Sequence, residues 1–252
     1  MSGPPVLEVA GVSKRFGALE ALREVSLSLA SGARHAIIGP NGSGKTTLMK
    51  VVSGMLRPNS GRIRIVGQDV TRTSIEYRVR LGLAQTFQIS TLFPTLTVLE
   101  HVGFALSARN KTDLYPWGRL SRWTDMKDEA EALLERFGLA AARDRLVANL
   151  AYGQRRLMEL ALAVALRPKV LLLDEPAAGL AIADRPQLLA MLKRLPRDVA
   201  TLLIEHDMSV VFGFAEHVSV LATGSLLVDG TAEEVRRDPR VREIYLGTAS
   251  HG

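Results

Sequence analysis

The chain has 252 residues, 47% hydrophobic and 23% charged, and 32 Lys and Arg against 26 Asp and Glu give a formal charge of +6. That balance excludes a disordered chain and suits one globular unit with room for an inserted subdomain, and the absence of cysteine excludes disulfides and thiolate metal sites. The positive residues are dispersed, so an acidic partner is permitted and nucleic acid is not indicated.

In chain order, the N-terminus lacks a basic region followed by an apolar stretch, and no segment approaches the ~20 apolar residues that span a bilayer. A soluble chain is expected, with any membrane spans supplied by other subunits. Val6 to Val9 and Val25 to Leu29 alternate as strands, the second closing at Ser31-Gly32, and His35 to Ile38 is a short apolar run of the buried-strand type. Next comes GPNGSGKT, residues 39–46, in the pattern G-x-x-x-x-G-K-[ST]. Gly42 and Gly44 let the backbone turn its N–H groups inward, Lys45 reaches the outer phosphates, and Thr46 offers a hydroxyl to magnesium. Thr47 to Val52 reads as a helix whose positive N-terminal end completes an anion site. Strand, glycine turn and helix together predict a nucleoside triphosphate.

Ile63 to Val66 is a further strand. From about Leu96 to Leu166 the pattern turns helical, with Met126, Ala130, Leu133, Leu134 and Phe137 on one face and Asp128, Glu129, Glu131 and Glu135 elsewhere. Within it, Ser107 to Thr124 carries Trp117 and Trp123 among arginines and a lysine. That suits either a contact surface or a loop tucked onto its own domain. After Pro168 come apolar strands at Val170 to Leu173, Thr201 to Ile204 and Val218 to Leu221, separated by helices, the pattern of a parallel sheet covered on both faces. Ala222 to Ser225 reads as a hairpin turn into Leu226 to Val228, and Thr231 with Glu234 as the capping box of a last helix.

Chemistry gathers at the strand ends. VLLLDEP delivers Asp174 and Glu175 where an open parallel sheet binds its ligands. One acid can hold magnesium while the other accepts a proton from attacking water. LIEHD sets His206 beyond another buried strand, within reach of a γ-phosphate, and Gln88 in TFQ is suited to orienting water or sensing magnesium. LAYGQRR puts Gly153 at the start of an apolar helix, a second anion site. One nucleotide does not need two, so a composite site shared with another copy or partner is expected.

These motifs, in this order over nearly the whole chain, resemble the ATP-binding subunit of ABC transporters. The resemblance implies an α/β P-loop NTPase core with an antiparallel β portion and an inserted helical subdomain: residues 1–88 and 168–252 as core and about 89–167 as the helical part of a single domain. It implies ATP and Mg2+ as ligands. Gly39, Pro40, Asn41, Gly42, Ser43, Gly44, Lys45, Thr46 and Thr47 form the Walker A loop, and Ala151, Gly153 and Gln154 belong to the signature. Thr46, Gln88 and Asp174 are the metal-side residues, with Glu175, His206, Lys45 and Gln88 catalytic. Phe16 matches the aromatic that stacks on adenine, an interaction of roughly 1 to 3 kcal/mol; the alternative is a core phenylalanine.

Within the family, TFQISTLFPTLTVLEHV, NLAYGQRRLMELA, DEPAAGL, LIEHDM and YLG look like branched-chain amino acid importers, whose pattern urea, amide and other importers share. The implied partners are transmembrane permeases, a second ATP-binding subunit and, indirectly, a substrate-binding protein, with the chain peripheral on the cytoplasmic face of the inner membrane. Two departures stand out: Ala151 replaces the usual signature serine and Ala181 the usual D-loop Asp or Asn. Both fall on elements that act across a dimer, so the site this chain completes for its partner is expected to be the weaker one. A soluble ABC ATPase of translation or DNA repair is the alternative class; it usually fuses two cassettes or inserts coiled coils, and neither is seen. NKTD at Asn110 to Asp113 is similar to a guanine-recognition motif, but no D-x-x-G lies between it and the phosphate loop.

Overall fold

Unbroken apolar runs and half-buried alternating ones build two different sheets here. The computed structural model describes residues 4–86, 92–110 and 120–246, with side chains except at 120–125 and 244–246. Two compact units are resolved, residues 1–85, 169–177 and 196–252 in the first and 86–168 and 178–195 in the second. The chain opens with β1 (Leu7–Phe16), β2 (Leu19–Leu29), β3 (Arg34–Ile38), α1 (Lys45–Ser53), β4 (Ser60–Ile65), β5 (Gln68–Asp69), α2 (Ile75–Arg80) and β6 (Leu83–Thr86). After the second unit's first helices come β7 (Val170–Asp174), β8 (Ala200–Ile204), α7 (Met208–Phe214), β9 (His217–Ala222), β10 (Ser225–Thr231), α8 (Ala232–Arg237) and α9 (Pro239–Leu246).

One sheet has the order β2-β1-β4-β5 and is antiparallel; the other runs β10-β9-β3-β8-β7-β6, with β9, β3, β8 and β7 parallel and β10 antiparallel at the edge. β3, β7 and β8 are buried at every residue, which is why β7 and β8 read as nearly unbroken apolar runs, whereas β3 opens with buried Arg34 and His35. The core of the first unit joins Leu7, Val9 and Leu29 of one sheet, Ile37, Leu172 and Leu202 of the other, and Leu48 and Val52 of α1. Burying each such side chain contributes about 2 kcal/mol.

β1 and β2 extend well past their expected ends and meet as a hairpin, Phe16 opposite Leu19. The pairing shifts register three times beyond Val9, which breaks the alternation on which the sequence reading depends. The β9–β10 hairpin turns at Thr223 and Gly224, φ 45° and 83°, the positive pair of a type I′ turn. Thr231 Oγ1 accepts the Glu234 N–H at 3.3 Å and Glu234 Oε2 accepts the Thr231 N–H at 2.8 Å, the expected capping box. The last helix is two, α8 and α9, because Pro239 opens a new one.

In the second unit α3 (Val98–Asn110), α4 (Leu120–Arg136), α5 (Tyr152–Ala165) and α6 (Arg185–Lys193) carry the helical pattern. Ala130, Leu134 and Phe137 are buried. Glu129 is fully engaged: the Arg109 guanidinium donates to both its oxygens at 2.9 and 2.8 Å, and Arg167 adds a third bond at 2.7 Å. The Arg109 fork and Arg167 hold its carboxyl down to about 2. Residues 178–195 group with these helices, outside the 89–167 range expected for them. Among the described residues no helix is long and apolar enough to cross a membrane.

A polar thread runs through the parallel sheet behind the phosphate loop. Buried His35 on β3 donates from Nε2 to Ser219 Oγ at 2.7 Å, Ser219 donates to Asp229 Oδ1 at 2.5 Å, and His217 Nε2 meets the same oxygen at 3.1 Å. Burial, reinforced by His217 and opposed by Asp229, pushes His35 down to about 4. The unfolded chain therefore takes up this proton first, and the stability present above pH 6.5 is lost as pH falls toward 4. The loss from this group reaches about 3 kcal/mol. Denaturant melts across that window should show His35→Gln with a shallower decline than the wild type; parallel declines would remove His35 as the cause.

Candidate active site

β3 ends at Ile38 and α1 begins at Lys45, leaving Gly39 to Gly44 to make the connection. Gly44 is the N-cap of α1 at φ 107°, and no side chain caps the helix. The N–H groups of its first turn therefore face outward without intrahelical acceptors. Gly39 touches the carbonyl of Leu221 at the end of β9: a Cβ there would lie 2.1 Å from that oxygen. From the other side the β9–β10 turn is pinned by its tip, since Gly224 N donates to Ser43 O at 3.0 Å and Gly224 O accepts from Arg23 N on β2 at 2.8 Å. Lys45 is buried and its ammonium donates to Gly39 O at 2.7 Å and Pro40 O at 3.0 Å. Burial lowers its pKa while the Glu175 and Asp174 carboxylates support its charge. Asn41, Gly42 and Thr46 are exposed, whereas Pro40 and Thr47 are half-buried.

The two acids differ sharply. Asp174, in register with Ile204 across β7 and β8, is buried, and its Oδ1 has no hydrogen-bond partner. Ser43 Oγ is buried in the same condition. Burial first, and then Glu175, pushes the Asp174 carboxyl up against the pull of Lys50 and Lys45. A buried carboxylate oxygen left unmatched, with an exposed hydroxyl at Thr46 on the phosphate loop, offers the hard oxygen donors that a divalent cation takes, so these residues fit magnesium. Glu175 leaves the strand with φ 48°, a left-handed conformation that disfavours a side chain, and its N–H donates to Ile204 O at 2.9 Å. That kink turns it off the ladder line and leaves it half-buried.

His206 lies two residues past the end of β8 and is exposed. Phe16 ends β1 with 46% of its surface exposed and the Lys14 ammonium 5.2 Å from its ring centre, which rules out the core-phenylalanine reading. In the second unit Ala151 is the N-cap of α5, and the helix starts at Tyr152, so Gly153 stands inside its first turn. Gln154 Oε1 accepts the Ala151 N–H at 3.2 Å, but the alanine methyl returns no bond, and the exposed end of α5 keeps its free N–H groups. Ala181 precedes a short 3-10 turn, and neighbouring Ile182 is 76% exposed. Gln88, Trp117 and the Trp123 side chain lie outside the described residues.

Residues 22–178 match the ABC transporter family model. The chain belongs to the ABC transporter family. It is an ATP-binding cassette and an ATP hydrolase. Residues 220–251 match a second model, the branched-chain amino acid ATP-binding cassette transporter. The high-affinity branched-chain amino acid transport ATP-binding protein BraF of Pseudomonas aeruginosa is 36% identical over 97% of this chain and 99% of its own length. The sulfate/thiosulfate import ATP-binding protein CysA of Vibrio vulnificus is also 36% identical, over 95% of this chain but 67% of its own length. A crystal structure of an ABC transporter's ATP-binding cassette in its ADP conformation superposes with a TM-score of 0.83 at 29% identity, covering 97% of this chain and all of that one.

Two parts of this ABC cassette's site escape the motif reading. One is the brace from Leu221 and Gly224, contributed by backbone atoms: Gly224 signals a turn, but nothing in either residue type signals contact with the phosphate loop. The other is Glu205, wholly buried beside His206; its only trace is a charged residue directly continuing an apolar strand. The brace separates the loop glycines. Gly42 has φ 78° and open space where a Cβ would go, so Gly42→Ala should cost about 1 kcal/mol for the backbone alone. Gly39→Ala drives its methyl into a backbone oxygen and should cost at least about 3 kcal/mol. Equal losses in thermal unfolding of the two variants would contradict the brace.

Proposed function

We propose that this ATPase drives a branched-chain amino acid importer. It acts as one of two ATP-binding subunits, identical or different, beneath transmembrane permeases, peripheral on the cytoplasmic face of the inner membrane and fed indirectly by a substrate-binding protein. The observation that carries the substrate class is the match of residues 220–251. Overall identity does not discriminate, because the sulfate/thiosulfate protein reaches the same 36% as BraF. Residues 1–88 and 168–252 act as the catalytic core and about 89–167 as the helical subdomain that presents the signature.

In each turnover two subunits close over ATP, residues 39–47 of one facing the free N–H groups of the other's α5. Phe16 stacks on adenine. Lys45 transfers its ammonium from the Gly39 and Pro40 carbonyls to the β- and γ-phosphate oxygens. Water attacks the γ-phosphorus and gives a proton to Glu175 as the bond to the β–γ bridging oxygen breaks, releasing ADP and phosphate, while His206 supports the γ-phosphate. Thr46 and Asp174, with Gln88, would hold magnesium, which when bound neutralises phosphate charge. The unmatched Asp174 Oδ1 supports that assignment.

Glu175→Gln should bind ATP normally and lose hydrolysis by about 10²- to 10³-fold, within the range that general-base removal allows. With permeases and binding protein reconstituted, leucine should stimulate ATPase activity and sulfate should not; the reverse would reassign the cargo. Ala151 has no hydroxyl to offer, and it acts across the dimer. In mixed dimers, disabling Glu175 of this chain should therefore cost more activity than disabling the partner's base, whereas equal losses would reject the asymmetry.

A further inference from the structure

Beyond the ends of β7 and β8 the sheet can no longer hold its strands, yet both carry the residues on which hydrolysis depends. Asp174 and Ile204 are the last pair in register, and Glu175 N–H still reaches Ile204 O at 2.9 Å. Past that point Glu175 turns left-handed at φ 48°, and the backbone ladder stops. One side chain takes over. Glu205 is 0% exposed. Its Oε1 accepts the N–H of Ala177 at 2.7 Å, and its Oε2 accepts those of His206 at 2.9 Å and Asp207 at 3.2 Å.

A fully buried carboxylate is costly unless its lone pairs are met by donors, and here three backbone N–H groups from two chain segments meet them. Glu175 is thereby held on both sides, by its own N–H on Ile204 and by Ala177 two residues on. His206 is held by its N–H on the same carboxylate that holds Ala177. Apart from the His206 imidazole, whose Nδ1 lies 3.7 Å from Oε2, the side-chain atoms of Glu205 face backbone groups of the protein, so its action runs through its neighbours.

We propose that Glu205 is a positioning residue that replaces the missing rungs of the sheet and fixes Glu175 and His206 relative to one another. The proposal rests on the reading of Glu175 as base and His206 as the γ-phosphate contact. Displacing a reacting group by about 1 Å can lower a rate by roughly a hundredfold, whereas the phosphate loop that sets affinity is anchored elsewhere, at Leu221 and Gly224. Loss of Glu205 therefore falls on turnover.

Glu205→Gln keeps the size but presents an NH2 to the N–H donors of one of the two chain segments. Glu205→Asp keeps the charge but falls one methylene short of spanning both. In the full-length chain with Mg-ATP, each should lower kcat by about 10- to 100-fold with KM for ATP within about 3-fold. A kcat within threefold of wild type in either variant overturns the proposal, as does a parallel collapse of affinity and turnover. Hydrogen exchange on the wild type needs no variant to fold: the amides of Ala177, His206 and Asp207 should exchange slowly, like those at the ends of β7 and β8. Loop-like exchange at Ala177 overturns the proposal. A Glu175→Gln control separates the two readings. Lost turnover there with normal Glu205→Gln overturns the positioning role alone, and normal turnover there overturns the base assignment and the proposal with it.

Discussion

Backbone N–H groups that are to meet a triphosphate, the role proposed for the first turn of α1, cannot be spent on the protein, and much of the first unit serves to keep them free and still. The opening turn of α1 has no side-chain cap, so nothing inside the helix fixes its approach. Rigidity comes from behind: the Leu221 carbonyl against Gly39, the Gly224 N–H on Ser43, and the Arg23 N–H on Gly224. The antiparallel sheet and the β9–β10 hairpin thus meet at the loop and hold a geometry that the eight-residue motif only permits.

Three carboxylates then sit at the neighbouring ends of β7 and β8, each in a different condition. Glu205 is buried and satisfied by three N–H groups, Asp174 is buried with one oxygen unmatched, and Glu175 is half-buried on a left-handed backbone. Similar acids separated by environment can serve unlike roles. Here those roles divide into holding the backbone, holding a cation and moving a proton, the last two by proposal.

Much of this was legible. Strands buried on both faces announce themselves as runs such as VLLLD and ATLLI, and a type I′ turn announces itself by Gly224. The β1–β2 hairpin did not, because bulges destroy its period. Nor did α2, whose six residues bury an arginine: Arg78 donates to the carbonyls of Val51, Val52 and Val70 at 2.6 to 2.7 Å. Burial pushes that guanidinium down to about 10. A charged residue used as a core cap has the same letter as one in solvent. At the site, the positions of Lys45, Asp174 and Glu175 followed from spacing, whereas only its exposure shows that Phe16 is not packed in the core.

Glu175 occupies a backbone geometry that glycine or asparagine tolerates better, at a cost of about 1 kcal/mol. Random substitution at that position, scored by folding alone, would drift toward those residues. If Glu175 is the base proposed above, it is held there by work rather than by stability, and screens for hardier variants of this protein would be drawn to silence it.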